Sequence, residues 1–203
     1  MATPDDHLLA EVLATRAGSL LCEIRARLVD EGATVQEMRG WGDRLAHDFL
    51  MESLAAERPS DAVLSEEGAA HGTHPDRSGA GRVWIIDPLD GTREFGEPPR
   101  TDWAVHVALA EDGLPTVGAV ALPALEMTFA TGPSVEEVSL PKVPDRPRIA
   151  VSRTRPPAEA LAVAEALGGT LVEMGSAGAK AMAVLRDEAD VYVHSGGQFE
   201  WDN

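Results

Sequence analysis

The chain carries one cysteine, half as many basic residues as acidic ones, and no apolar run of membrane-spanning length. Each shortage excludes something. Cys22, set among Leu20, Leu21 and Ile24, reads as a small buried helix residue and not as a reactive thiol. A bilayer needs roughly 20 consecutive apolar residues, and none are present. The start, Met1-Ala2-Thr3-Pro4-Asp5-Asp6, is acidic where a secretory signal would be basic, so a cytoplasmic location is the expectation. With 17 Lys and Arg against 34 Asp and Glu, the formal charge is −17. Nucleic-acid polymers and anionic membranes are therefore repelled at long range. A phosphate ester would be repelled too, unless bound cations reverse the potential inside its pocket. Most of the excess charge reads as solvated surface.

What is present is enough for a core: 203 residues, 44% hydrophobic, without repeats or low-complexity tracts. Leu9, Val12, Leu13, Leu20, Ile24 and Leu28 recur at helical spacing between Asp5 and about Glu31, with Thr3 and Pro4 supplying a cap and a first-turn proline. A second helix is expected from about Asp43 to Glu57, with Leu45, Phe49, Leu50 and Leu54 inward, and Asp43 reads as its cap. A short strand over 62–65 delivers Glu66 and Glu67. The stretch 69–81 reads as a polar surface loop, and its His71 and His74 as loop residues more than as ligands. Strands follow at 83–87, 103–110, 116–122 and 126–131, in one mixed or antiparallel sheet. The proline-rich segment 140–147 divides the chain into 1–143 and 144–203. Beyond it a strand (148–152), helix (156–167), strand (170–173), helix (177–188) and strand (190–194) alternate.

The chemistry concentrates in Asp87-Pro88-Leu89-Asp90-Gly91-Thr92, two carboxylates three apart on a turn after the apolar run Val83-Trp84-Ile85-Ile86. Oxygen-only donors with no His or Cys beside them favour Mg²⁺ or Mn²⁺ over zinc. Gly91 and Thr92 offer N–H groups where a phosphate would sit. This string, with Leu64-Ser65-Glu66-Glu67 before it and Trp201-Asp202 far behind it, resembles the lithium-sensitive, magnesium-dependent phosphatases of the inositol monophosphatase superfamily. The resemblance spans nearly the whole chain. It implies an α/β (α+β) fold, a layered α/β/α/β/α sandwich. Because relatives continue well past Trp-Asp, it also implies a chain truncated at Asn203, with its last layers incomplete.

The resemblance further implies roles. Glu66 would hold a metal and the nucleophilic water, Asp87 would bridge two metals, the Leu89 carbonyl and Asp90 would be further ligands, and Asp202 would complete the second site. Thr92 would orient the water, tuned by Asp43. Arg93-Glu94-Phe95 resembles the bisphosphate nucleotidase branch, as does Lys180 in the turn Gly175-Ser176-Ala177-Gly178-Ala179-Lys180. Substrate contacts are thus expected from Gly91, Thr92, Arg93, Glu94, Arg153, Ser176, Lys180 and Asp202. The implied reaction removes the 3'-phosphate of 3'-phosphoadenosine 5'-phosphate. Inositol-1-phosphate or fructose-1,6-bisphosphate hydrolysis, or an inactive metal-binding remnant, are the alternatives. Small phosphorylated nucleotides or sugars are the expected partners, and a homodimer is compatible with the sequence. Asp90→Asn is expected to leave the fold nearly intact while abolishing turnover.

Overall fold

A computed structural model of the chain describes residues 1–70, 79–132, 142–195, 197 and 199–202. Helix α1 (Pro4–Asp30) starts on a reciprocal cap in which Thr3 and Asp6 each accept the other's backbone N–H, with Pro4 in the first turn. Its inward stripe is rotated from the expected one. Ala10, Ala14, Ala17 and Leu21 are fully buried, whereas Val12 is 39% exposed, so small side chains line the close contact. Cys22 is half-buried on the same helix, less enclosed than its apolar neighbours imply.

Helix α2 (Val35–Glu57) begins well before the expected Asp43, because Thr34 and Glu37 form a second reciprocal cap. Asp43 therefore lies inside the helix and caps nothing. Gly42 explains its placement: a Cβ there would stand 2.7 Å from the Phe95 ring and 2.9 Å from Leu89 Cδ2. Only glycine lets α2 lie this close to the Asp87–Thr92 turn.

The strands are β1 (Ala62–Ser65), β2 (Arg82–Asp90), β3 (Ala104–Glu111), β4 (Leu114–Leu122) and β5 (Met127–Ala130), hydrogen-bonded in that order. β1 and β2 are parallel and the other pairs antiparallel, a mixed sheet. Short helices α3 (Glu66–Ala70) and α4 (Thr92–Phe95) follow β1 and β2 directly. An irregularity in the β2–β3 register between Asp87 and Asp90 breaks the alternation there and re-aims the two carboxylates. Further along, β6 (Arg148–Ser152), α5 (Ala158–Leu167), β7 (Thr170–Met174), α6 (Ala177–Leu185) and β8 (Val191–Tyr192) build a parallel sheet of order β7-β6-β8, before a last helical turn, Glu200–Asp202.

Four apolar clusters define the layers. Leu13, Leu21, Leu50 and Leu54 of α1 and α2 pack on Trp84, Ile86, Val105 and Val107 of the larger sheet. Ala104 and Leu122 on that sheet meet Ala179 of α6. Ala183 of α6 meets Ala150 of β6, while Ile149 and Val151 meet Ala160 and Ala164 of α5. Helices, sheet, helix, sheet and helix thus stack as the α/β/α/β/α sandwich that was expected. The division after residue 143 falls between the two sheets. His71 and His74 lie outside the described residues. Among the described residues no helix is long and apolar enough to cross a membrane.

Candidate active site

Strands β1 and β2 run parallel, so Glu66 and the Asp87–Asp90 turn leave the same end of the sheet. A cleft of about 590 Å³ opens there between the two sheets, lined by Glu66, Asp90, Ser176, Lys180, Trp201 and Asp202 among others. Asp87 is 2% exposed, with a carboxylate oxygen within 4.8 Å of a ligand atom of Asp90. The Asp87 and Glu66 carboxyl groups stand close enough to disturb each other's ionisation. Burial holds both carboxyls above the usual range. For Asp87 the shift is large, and the charges of Asp90 and Glu66 add to it.

Asp90 is treated in the opposite way. Burial alone would raise its carboxyl too, but His106, the Ser176 hydroxyl and the Gly178 N–H outweigh burial and hold it down to about 2. Ser176 Oγ–H and Gly178 N–H donate to Oδ2 at 2.6 and 2.7 Å, and Ala177 N–H donates to Oδ1 at 3.1 Å. The N-terminus of α6, where helix N–H groups stand unpaired, has been given a carboxylate. Ser176 sits at φ 34°, a strained conformation that this junction maintains.

This arrangement changes the reading of the Gly175–Lys180 turn. Ser176 and Lys180 were expected to meet substrate, yet the Ser176 hydroxyl and the N–H groups of Ala177 and Gly178 meet Asp90, and that of Ala179 meets Ser176 Oγ. Lys180 lines the cleft, but its Nζ donates to the carbonyls of Gly175 and Ser176 at 2.7 and 2.6 Å, and burial lowers its pKa. Arg153 is likewise engaged. Its Nε lies 2.6 Å from Glu94 Oε1 and its Nη2 lies 2.7 Å from Glu97 Oε2, so Glu94, 5% exposed, is buried as half of an ion pair. Arg93 is exposed.

On the other flank, Thr92 Oγ lies 3.1 Å from Asp43 Oδ1 and 3.1 Å from the Leu89 carbonyl, two acceptors that share its one proton. Burial, with the charge of Glu67 next, pushes Asp43 up to about 7. Asp87 Oδ1 accepts the Leu89 N–H and so closes the turn on itself. Gly91 caps α4 at φ 88°. Asp202 accepts the Phe199 N–H and stands across the cleft from Glu66. Behind α4, Arg25 of α1 donates to the carbonyls of Glu94, Phe95 and Arg100 while its guanidinium lies over the Phe95 and Trp103 rings.

The donor set fits a hard divalent cation. It is made of carboxylate oxygens, and the burial and crowding that raise Glu66 and Asp87 are what a bound cation would relieve. Ligand atoms of Asp87, Asp90 and His106 lie within 4.8 Å of one another. His106 belongs to no motif. A lone histidine in the alternating strand Ala104-Val105-His106-Val107-Ala108 reads as core, and no local signal distinguishes it.

The sequence model of the inositol monophosphatase family matches residues 8–203. The chain belongs to that family. A protein from Mycobacterium leprae (strain TN), named 3'-phosphoadenosine 5'-phosphate phosphatase, is 48% identical over 98% of this chain and 75% of its own length. Among solved structures in the family, CysQ from Bacteroides thetaiotaomicron superposes with a TM-score of 0.75 at 25% identity, covering 98% of this chain and 83% of that one. Inositol monophosphatase II from Staphylococcus aureus MSSA476 gives 0.76 at 20% identity, covering 98% and 78% respectively, and shows the shared fold.

Proposed function

We propose that this chain is a Mg²⁺-dependent phosphomonoesterase that removes the 3'-phosphate of 3'-phosphoadenosine 5'-phosphate, leaving AMP. The observation that carries the reading is the meeting of Glu66, Asp90 and Asp202 at one cleft, with Asp87 beside Asp90, from three separate segments, in a chain 48% identical to a phosphatase named for that substrate. Divalent cations held by these carboxylates would supply the positive charge that phosphoryl oxygens and a leaving alkoxide need. Mn²⁺ satisfies the same donors.

The chain's own residues do the rest. The Thr92 hydroxyl and the Glu66 carboxylate flank the place of the attacking water. With one hydroxyl proton shared between Asp43 and the Leu89 carbonyl, Thr92 can turn a lone pair toward that water and take up its proton. Asp43, pushed up to about 7, is a ready acceptor behind it. Hydrolysis makes the water O–P bond and breaks the ribose 3'-O–P bond; the 3'-oxygen takes a proton from solvent and leaves as the alcohol, while the proton passed to Asp43 returns to solvent. The cleft is large enough for a nucleotide, and its far wall carries Ser152, Arg155 and His194. Arg153 and Lys180, already matched by protein partners, act here by shaping the wall.

Phosphate release from 3'-phosphoadenosine 5'-phosphate and from inositol-1-phosphate, with Mg²⁺ and with EDTA, tests the reading. The nucleotide should be preferred in kcat/KM, and EDTA should abolish both activities. Equal or reversed preference removes the nucleotidase assignment, and full activity in EDTA removes the cation site.

A further inference from the structure

His106 lies on β3, paired across the ladder with Asp87, and is 8% exposed. Three segments close on its ring. Nδ1 is 2.8 Å from the Trp201 carbonyl oxygen, and because a carbonyl only accepts, this nitrogen carries a proton. Nε2 faces Asp90 Oδ2 at 3.1 Å, a charge contact off the line of a well-aligned hydrogen bond. At Gly178 an added Cβ would stand 2.1 Å from Nε2, so α6 comes down onto the ring edge through a residue without a side chain.

We propose that His106 is a positioning residue for the cation site, a rigid ring that fixes Asp90 on one side and, through the Trp201 carbonyl, Asp202 on the other. The inference rests on the cation-site reading above. It explains which oxygen of Asp90 is left for a cation. Oδ2 is surrounded by the Ser176 hydroxyl, the Gly178 N–H and the ring, whereas among the described residues Oδ1 receives the Ala177 N–H alone. A cation bound by Oδ2 and Nε2 together would meet the Gly178 N–H 2.7 Å from the same oxygen, positive end against positive ion. The ring therefore orients a ligand and does not serve as one. It also spans the gap that sequence distance leaves open, since Asp90 and Asp202 belong to segments that share no secondary-structure element. Partners that orient metal ligands in this way typically contribute about 10–100-fold in metal affinity.

The test is direct Mn²⁺ binding to EDTA-treated protein, followed by electron paramagnetic resonance, for wild type, His106→Ala and His106→Asn. His106→Ala should bind Mn²⁺ about 10–100-fold more weakly while still unfolding cooperatively. His106→Asn places an amide N–H near the Nδ1 position, keeps the Trp201 tie alone and should fall between the two. Pulsed spectra of the wild-type complex should show no ¹⁴N coupling from an imidazole. Wild-type affinity in His106→Ala or in His106→Asn would overturn the proposal, as would ¹⁴N coupling that His106→Ala removes, since that would make the ring a ligand. A wild-type chain that takes up no Mn²⁺ would overturn the cation-site reading and this inference together.

Discussion

Replacing Asp90 by Asn separates two carboxylates that look equivalent in the sequence. The expectation that Asp90→Asn leaves the fold nearly intact rests on repulsion within an acidic cluster, and the structure places that repulsion on Asp87 instead. The Asp90 carboxyl is held from 3.8 down to about 2 by its donors. A shift of about two units at about 1.4 kcal/mol each means that its charge stabilises the metal-free fold by about 2–3 kcal/mol at neutral pH. Asn forfeits that term and turns an amide N–H toward the Ser176 hydroxyl or the Gly178 N–H. Asp90→Asn should therefore lower unfolding free energy by about 2–4 kcal/mol, whereas Asp87→Asn should raise it, because a buried carboxyl pressed by two neighbours loses its charge. Because the folded-state pKa of Asp90 is depressed, its contribution is present above 3.8 and fades as pH falls toward 2. The Asp90→Asn deficit should fade with it. Urea unfolding in EDTA at pH 7 and at pH 3 measures this. An Asp90→Asn protein as stable as wild type at pH 7, or an Asp87→Asn protein less stable than Asp90→Asn, would refute the reasoning.

Gly42→Ala gains roughly 1 kcal/mol of helix propensity but drives a methyl into Phe95 and Leu89, a close-packed clash worth about 1–3 kcal/mol; net destabilisation and lower kcat, as Asp43 retreats from Thr92, should appear together in thermal unfolding and steady-state assays. The Asp43 carboxyl is raised from 3.8 to about 7, so its ionisation costs the metal-free fold stability that is fully felt above pH 7. Asp43→Asn should accordingly be the more stable protein in EDTA at pH 8, by at most about 4 kcal/mol because water still reaches the carboxyl, and the two stability curves should converge near pH 4. Arg153→Ala leaves buried Glu94 without its partner and should cost about 3 kcal/mol in denaturant unfolding, with Glu94→Gln in the same background recovering part of it.

The strands were legible because runs such as Val83–Ile86 and Val117–Leu122 are short, apolar and bounded by turn residues. The turn at Asp87–Thr92 was legible because all its parts are local. The start of α2 was missed although Thr34 and Glu37 carry a visible capping signature, because Asp43 reads as a cap, and only the packing of Phe95 shows that Gly42 is there for close approach. Charges could be seen but not their partners. Arg153 and Lys180 read as substrate cations because Glu94 is far away in sequence and because main-chain carbonyls leave no trace in a sequence at all. His106 was hidden for the same reason, since its contacts at Trp201 and Gly178 exist only once both sheets are stacked.

Arg25 gives the site a thermodynamic property beyond its geometry. One guanidinium from the first helix holds three carbonyls of the 94–100 segment and lies over two aromatic rings. The segment after the motif turn is therefore ordered before any nucleotide arrives, and substrate association does not have to quench its motion. Heat capacity and entropy changes on binding should carry no contribution from ordering this segment. A single side chain of α1 thus sets how little this segment must reorganise in each catalytic cycle.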